Sequence, residues 1–252
     1  MANIIKESST RIKTGLVLII AMIIIGYIDS YFLIWAVLGI LLMISISEAK
    51  KLFQLESDSI YVYSALLWFA AYFYPTPEDL IFIVAIGYAS QLAYKKTLDK
   101  KMFLPLFYPT ASFLFLLSLY SEYGVMTLLW LLVVVAGADI GAYFVGKSIG
   151  KTKFSETSPN KTIEGVVGGV IVAAILGTYF ANENLHIISA VIISIIVAFA
   201  SVFGDLFESY LKREANIKDS GSILPGHGGI LDRSDGYLFG AIVMLVLLRV
   251  VG

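Results

Sequence analysis

The sequence predicts an all-α, polytopic integral membrane protein of about nine transmembrane helices, with its amino terminus cytoplasmic and its carboxy terminus outside. Three observations lead there. First, 58% of the 252 residues are hydrophobic and 15% charged, with a mean hydropathy of +0.85; soluble domains carry about 25% charged residues. A chain this apolar cannot hide its side chains in one core, so lipid must cover many of them. Second, apolar runs recur from end to end between short polar breaks, without the period of two expected of barrel strands. Third, seventeen of the eighteen Lys and Arg fall on alternate connections, and Arg249 alone lies on the other side, with Asp29, Glu78, Asp79, Glu122 and Glu183. Cytoplasmic loops are the ones enriched in Lys and Arg, which sets the orientation.

The predicted spans are 12–28, 31–47, 60–74, 80–94, 103–120, 125–145, 163–180, 187–207 and 237–251. The first follows Lys6, Arg11 and Lys13 as a signal peptide would. No small-x-small cleavage site comes after it and a second span begins at once, so it is retained. Asp29-Ser30 is the only break between the first two runs; an acid is costly at mid-bilayer, so these spans form a tight outer hairpin. Several, the third, fourth and ninth among them, are nearer fifteen residues than the roughly twenty that cross a hydrocarbon core. The fifth follows Lys95, Lys96, Lys100 and Lys101, and the sixth carries Asp139 near its cytoplasmic end. Before the seventh, Pro159 and Thr162 mark a turn leading into a helix start. The eighth leaves the bilayer through Asp205, Glu208, Ser209 and Lys212, and a glycine cluster precedes the ninth.

Composition narrows the chemistry. There are no cysteines, which excludes disulfides, thiolate nucleophiles, iron–sulfur clusters and Cys-built zinc sites. With only His186 and His227, a His-built metal site is excluded too. Any metal is then held by carboxylates and other oxygens, which suits Mg²⁺. The net charge of −1 gives no argument for nucleic-acid binding.

Two long polar stretches, 146–163 and 208–236, both fall on the cytoplasmic side. Asp205, Glu208, Ser209 and Lys212 are spaced i, i+3, i+4, i+7 and share one helix face, as do Asp232 and Asp235 three residues apart. Two acid-bearing helix ends could hold a divalent ion. The Gly226-His227-Gly228-Gly229 turn lets backbone N–H groups approach phosphate oxygens. Asp139 and Asp205 lie within spans, where a carboxylate is costly and marks function by default. Plainer readings exist: a Glu208–Lys212 surface pair, Lys212, Arg213 and Lys218 against anionic headgroups, and Asp232 at a helix dipole. They account for the residues singly but not for their concentration. Residues 141–148 match G-x-x-x-x-G-K-[ST]. A P-loop follows a strand and opens a helix, whereas Ala-Tyr-Phe-Val here continues a membrane helix, so that reading is rejected. Lys147, Lys151, Lys153 and Lys161 remain as point charges for phosphate.

The segment Ser209-x-Leu211-Lys212-Arg213-x4-Lys218-Asp219-x-Gly221-x2-Leu224-Pro225-x-His227-Gly228-Gly229-Ile230-x-Asp232-Arg233-x-Asp235 resembles the signature of the phosphatidate cytidylyltransferase (CDP-diacylglycerol synthase) family over 27 positions. Ser234 is the departure, where the family usually has an apolar residue or Thr. Asp139-x3-Tyr143-x2-Gly146-Lys147, Ser158-Pro159-x-Lys161-Thr162-x-Glu164-Gly165 and Gly204-Asp205-x2-Glu208-Ser209 also look like the family. The likeness covers the carboxy-terminal half; the first hundred residues resemble the family only as a generic set of spans. It divides the chain into amino-terminal helices, 1–98, and a transmembrane catalytic region, 99–252.

The resemblance implies transfer of a cytidylyl group from CTP to phosphatidate, giving CDP-diacylglycerol and pyrophosphate with Mg²⁺. The setting would be phospholipid biosynthesis in the plasma (inner) membrane, with the active site on the cytoplasmic side. It makes Asp205, Asp232, Asp235 and His227 catalytic, with His227 donating to a phosphate oxygen rather than serving as base. Asp205, Asp232 and Asp139 become metal ligands, Asp235 completes or orients their shell, and a second cation stays open. Lys147, Lys161, Ser209, Lys212, Arg213, Lys218, Asp219 and Arg233 become substrate-binding residues. The implied partners are CTP, phosphatidate, the bilayer and a second copy in a homodimer, with no nucleic acid; the acyl chains stay in the bilayer. A CTP-dependent lipid-alcohol kinase would use similar parts, and a transporter is the rival from another class. No paired broken helices or repeated halves support the transporter, and the D-G-x2-A-R…G-x3-D-x3-D pattern of CDP-alcohol phosphotransferases is absent.

Overall fold

In apolar runs that water cannot reach, backbone N–H and C=O groups must satisfy one another locally, and the helix is the element that does so within one segment. The computed structural model describes residues 2–96, 99–181 and 185–251, with side chains from Lys13 onward. Lys6 and Arg11, as side chains, and Glu183 and Leu98 lie outside the described residues. The chain is 79% helix, with no strand among the described residues. In order come α1 (Ala2–Ile28), α2 (Tyr31–Leu52), α3 (Ser59–Ala71), α4 (Leu80–Lys95), α5 (Phe103–Pro105), α6 (Ser112–Tyr123), α7 (Val125–Ile149), α8 (Ile163–Phe180), α9 (Ile187–Glu214) and α10 (Leu231–Val251).

Among the described residues six stretches are long and apolar enough to cross a membrane: Tyr31–Leu52, Lys100–Tyr123, Val125–Ile149, Ile163–Phe180, Ile187–Glu214 and Leu231–Val251. Lys13–Ile28 and Ser59–Ala71 are apolar but shorter. At 1.5 Å per residue the 13-residue α3 rises roughly 20 Å, short of a hydrocarbon core of about 30 Å. The protein is a multi-pass membrane protein. Large apolar side chains such as Ile140, Phe144, Ile171 and Ile175 stand exposed on its helices, as lipid-facing surfaces require.

The chain folds as two compact units, Met1–Leu117 with Glu214–Arg233, and Ser118–Arg213 with Ser234–Gly252. In the first, Asp29 takes a left-handed φ of 43° between α1 and α2, making the two-residue turn expected there. Trp35 and Trp68 clasp α2 to α3, each indole N–H donating to the other's carbonyl at 3.0 and 3.2 Å. The predicted run 103–120 is not one regular helix: Tyr108 is non-helical and Pro109 lies inside the turn 106–111, where proline removes a donor. In the second unit, the would-be P-loop stretch is part of α7, as expected. Its Gly141 lies so close to Gly169 of α8 that a Cβ there would stand 2.9 Å from the Gly169 Cα. Trp130 of α7 donates to Ser194 Oγ of α9 at 3.0 Å.

Two predicted ends differ. The eighth run stays helical through Glu214, which places Asp205, Glu208, Ser209 and Lys212 on α9. The ninth begins at Leu231, not at 237, so Asp232 and Asp235 occupy its opening turns. Hydropathy starts a span at the first sustained apolar run; the helix starts where its orphan N–H groups find acceptors.

Candidate active site

In the first unit the segment 218–233 folds back on itself. Leu224 N donates to the Gly228 carbonyl at 3.0 Å and His227 N to the Leu224 carbonyl at 2.8 Å. Gly226 and Gly228 sit at φ of 76° and 85°, the left-handed region that glycine enters without steric cost. The fold encloses a cavity of about 520 Å³ whose lining includes Lys218, Asp219, His227 and Arg233. Two permanent cations, a histidine and glycine backbone suit phosphate oxygens, with Asp219 the one carboxylate in the lining. Arg233 is oriented by its Nε, which donates to the His227 carbonyl at 2.8 Å, while His227 Nδ1 is enclosed without a hydrogen-bond partner.

Asp232 is held by the same segment. Its Oδ2 accepts from Ser220 N at 2.8 Å, Ser220 Oγ at 2.9 Å and Gly229 N at 2.8 Å. A carboxylate held by three donors has one direction in which to present itself.

The second unit gathers the other acids. The stretch 150–162 is a small hairpin: Phe154 N donates to the Lys161 carbonyl and Ile163 N to the Thr152 carbonyl, both at 2.9 Å. Glu164, just inside α8, pins it by accepting from the N–H groups of Lys151 and Thr152 and from Thr152 Oγ1 at 2.8 Å. The hairpin delivers Lys161 to α9, with Nζ 2.5 Å from Asp205 Oδ2. One turn on, Ser209 Oγ donates to Asp205 Oδ1 at 3.3 Å. Lys212 Nζ lies 3.1 Å from the Oε1 of Glu208, whose side chain is fully buried. Asp235 of α10 is within electrostatic reach of Asp205, Asp139 and Lys212. Three carboxylates with Lys161 and Lys212 among them thus share one neighbourhood.

The remaining candidates sit apart from these contacts. Lys147 is exposed, its ammonium over the Tyr143 ring at 5.6 Å. Arg213 is exposed at the end of α9.

Sequence reasoning missed Glu48. It is 2% exposed in α2; its carboxylate accepts from Ile230 N and Leu231 N and lies 3.1 Å from Ser220 Oγ. The signal available was an acid ending an apolar run, read there as the edge of a generic span. Ser220 was missed as well, being an ordinary loop residue by type, and Glu164 was legible only as a letter of a family-like motif.

Among the described residues no three acidic or histidine side chains are gathered into a closed metal site. Asp235 feels the charges of Asp205 and Asp139, and carboxylate oxygens are the donor type that a hard divalent ion takes. Mg²⁺ usually takes one or two carboxylates and fills its shell with waters and substrate phosphates.

Apolar helices carrying carboxylate–ammonium clusters, together with a cationic, glycine-walled cavity, define a multi-pass membrane protein equipped to handle phosphate groups. Residues 9–251 match the model of the cytidylyltransferase family, and the chain belongs to that family. It is a nucleotidyltransferase. The phosphatidate cytidylyltransferase of Helicobacter pylori is 46% identical over 98% of this chain and 93% of its own length. That of Bacillus subtilis is 50% identical over 123 residues, 47% of this chain and 46% of the relative.

Proposed function

We propose that this enzyme transfers the cytidylyl group of CTP to phosphatidate, releasing pyrophosphate and forming CDP-diacylglycerol. The observation that carries the reading is the 218–233 segment. Its signature residues line a cavity of about 520 Å³ with Lys218, His227 and Arg233 and fix the Asp232 carboxylate with backbone donors, and a relative 46% identical over nearly the whole chain is named for this activity.

A phosphate oxygen of phosphatidate attacks the α-phosphorus of CTP, and the bond to the pyrophosphate oxygen breaks. That oxygen is already ionised at neutral pH, so no strong base is needed. Catalysis is then alignment and charge neutralisation. Lys218 and Arg233 bind phosphate oxygens, and His227 donates to one of them. Lys161 and Lys212 neutralise charge beside Asp205 and Glu208, while Ser209 holds Asp205 in place. Lys147, Arg213 and Asp219 remain proposed substrate contacts. By the resemblance Asp139, Asp205 and Asp232 would be the ligands for Mg²⁺, with Asp235 orienting them; when bound, the ion would supply polarisation of the phosphate and stabilisation of the leaving pyrophosphate.

The nine-span topology with a cytoplasmic amino terminus belongs to the same reading. It is supported by the Lys and Arg asymmetry and by the pairing of Arg249 with Glu122, both assigned to the outer side. A plasma (inner) membrane location, a cytoplasmic site and a homodimer rest on the resemblance.

The test is a product assay in mixed micelles with phosphatidate, Mg²⁺ and CTP labelled on the α- or the γ-phosphate. Label from the α-position in lipid, with pyrophosphate released, is expected. Label from the γ-position in a lipid alcohol would make the protein a kinase, and no transfer by a well-folded preparation would reopen the transporter.

A further inference from the structure

We infer that Glu48 is a positioning residue of this enzyme, which sets the start of α10 and through it the carboxylate of Asp232. The inference rests on the proposed cytidylyl transfer and extends it to the amino-terminal helices.

A carboxylate that is 2% exposed is expensive to bury and persists only when its oxygens are satisfied. Glu48 is satisfied entirely by the segment that leads into α10. Its Oε1 accepts from Ile230 N at 3.0 Å, and its Oε2 accepts from Leu231 N at 2.8 Å and lies 3.1 Å from Ser220 Oγ. Helix N-termini usually have their orphan N–H groups capped by a Ser, Thr, Asp or Asn close in sequence. Here the acceptor comes from α2, 182 residues away from Ile230.

Two of the three donors on Asp232 Oδ2 are therefore governed by Glu48. Ser220 Oγ touches both carboxylates, and Gly229 N belongs to the residue immediately before Ile230. The glycines of the segment agree with this. A Cβ at Gly221 would stand 2.3 Å from Glu48 Oε1, and one at Gly229 would stand 2.5 Å from it. Both glycines leave the room that the carboxylate occupies.

The closing experiment compares wild type with Glu48→Gln and Ser220→Ala in detergent. It reads turnover, the affinity for Mn²⁺ in the presence of a non-reacting α,β-methylene CTP, and hydrogen exchange over 219–233. Groups that orient a ligating side chain typically change affinity or rate about 10–100-fold when altered. Glu48→Gln is expected to lower turnover and weaken Mn²⁺ binding by about that factor, with the KM for CTP within about threefold and faster exchange confined to 219–233. Ser220→Ala keeps both backbone bonds to Glu48 and is expected to lose about tenfold. Should Glu48→Gln fail to fold, Glu48→Asp decides the matter: it keeps the charge but draws the carboxylate back by one methylene from Ile230 N and Leu231 N, and the same losses are expected, wild-type values overturning the inference. A folded variant that exchanges faster but keeps wild-type turnover and Mn²⁺ affinity would overturn the inference and leave Glu48 a purely structural anchor. If wild type makes no CDP-diacylglycerol, the functional reading falls, and the Mn²⁺ and exchange readouts still decide whether Glu48 positions Asp232.

Discussion

Replacing Asp232 by Asn separates holding the loop from acting on substrate. Asp232 Oδ2 accepts three hydrogen bonds of 2.8 to 2.9 Å. An Asn oxygen can take the same place and keep all three donors, now on a neutral acceptor. Charge-assisted bonds are worth roughly 1.5–3 kcal/mol and neutral ones about 0.5–1.5, so the loss is about 1 kcal/mol per bond. Relief from desolvating a charge works in the opposite direction. The net change is then about 1–2 kcal/mol, or a few degrees in Tm for a chain of this size. Turnover responds differently. Asp232 is proposed to act by holding Mg²⁺, and weakening a metal site typically costs about 10–100-fold in affinity or activity, so a loss of at least that size is expected. The assay is α-labelled CTP conversion per folded enzyme, run beside a thermal melt of the same preparation. Turnover within threefold of wild type, or a fall in Tm beyond about ten degrees, would refute the assignment: the first would show that the charge is not used, the second that it serves the scaffold.

The other predictions follow from the same contacts. Lys161→Met removes the ammonium at Asp205 and leaves that carboxylate beside Asp235 and Asp139; turnover should fall about 10²-fold, read in the same assay. Gly229→Ala places a methyl 2.4 Å from Ser220 Oγ and 2.5 Å from Glu48 Oε1. Overpacking of that kind costs about 1–3 kcal/mol, so the melt should shift down by several degrees and turnover should drop with it. Chelation by EDTA should abolish transfer while leaving Tm nearly unchanged, because the described residues form no closed metal site on which folding depends; activity should return with Mg²⁺.

Much of the site was legible because its residues are close in sequence or on one helix face. Asp205, Ser209 and Lys212 recur at helical spacing, and α9 carries them as the spacing requires. The glycine cluster at 226–229 announced a turn, and Gly226 and Gly228 do take left-handed φ. The rejected P-loop match was settled by the same local logic, since the intervening apolar residues continue a helix that needs small residues against α8.

Helix ends were less legible. Hydropathy placed the last span's start at Tyr237, yet α10 opens at Leu231 because Glu48 and Asp232 supply acceptors for the backbone there. A polar opening turn looks like loop to any measure of apolarity. Glu48 itself was invisible for a related reason: an acid at the end of an apolar run is ordinary until its partners are known.

Composition and local pattern were enough to establish a helical membrane protein, to exclude thiol and histidine metal chemistry, and to single out the cytidylyltransferase signature. Those properties depend on which residues are present and on spacings of a few positions. The tertiary structure alone decided that Lys161 meets Asp205, that Ser220 and Gly229 hold Asp232, and that Glu48 reaches Ile230 and Leu231 from 182 and 183 residues away. A buried carboxylate must find donors somewhere, but no local period states where along the chain they lie.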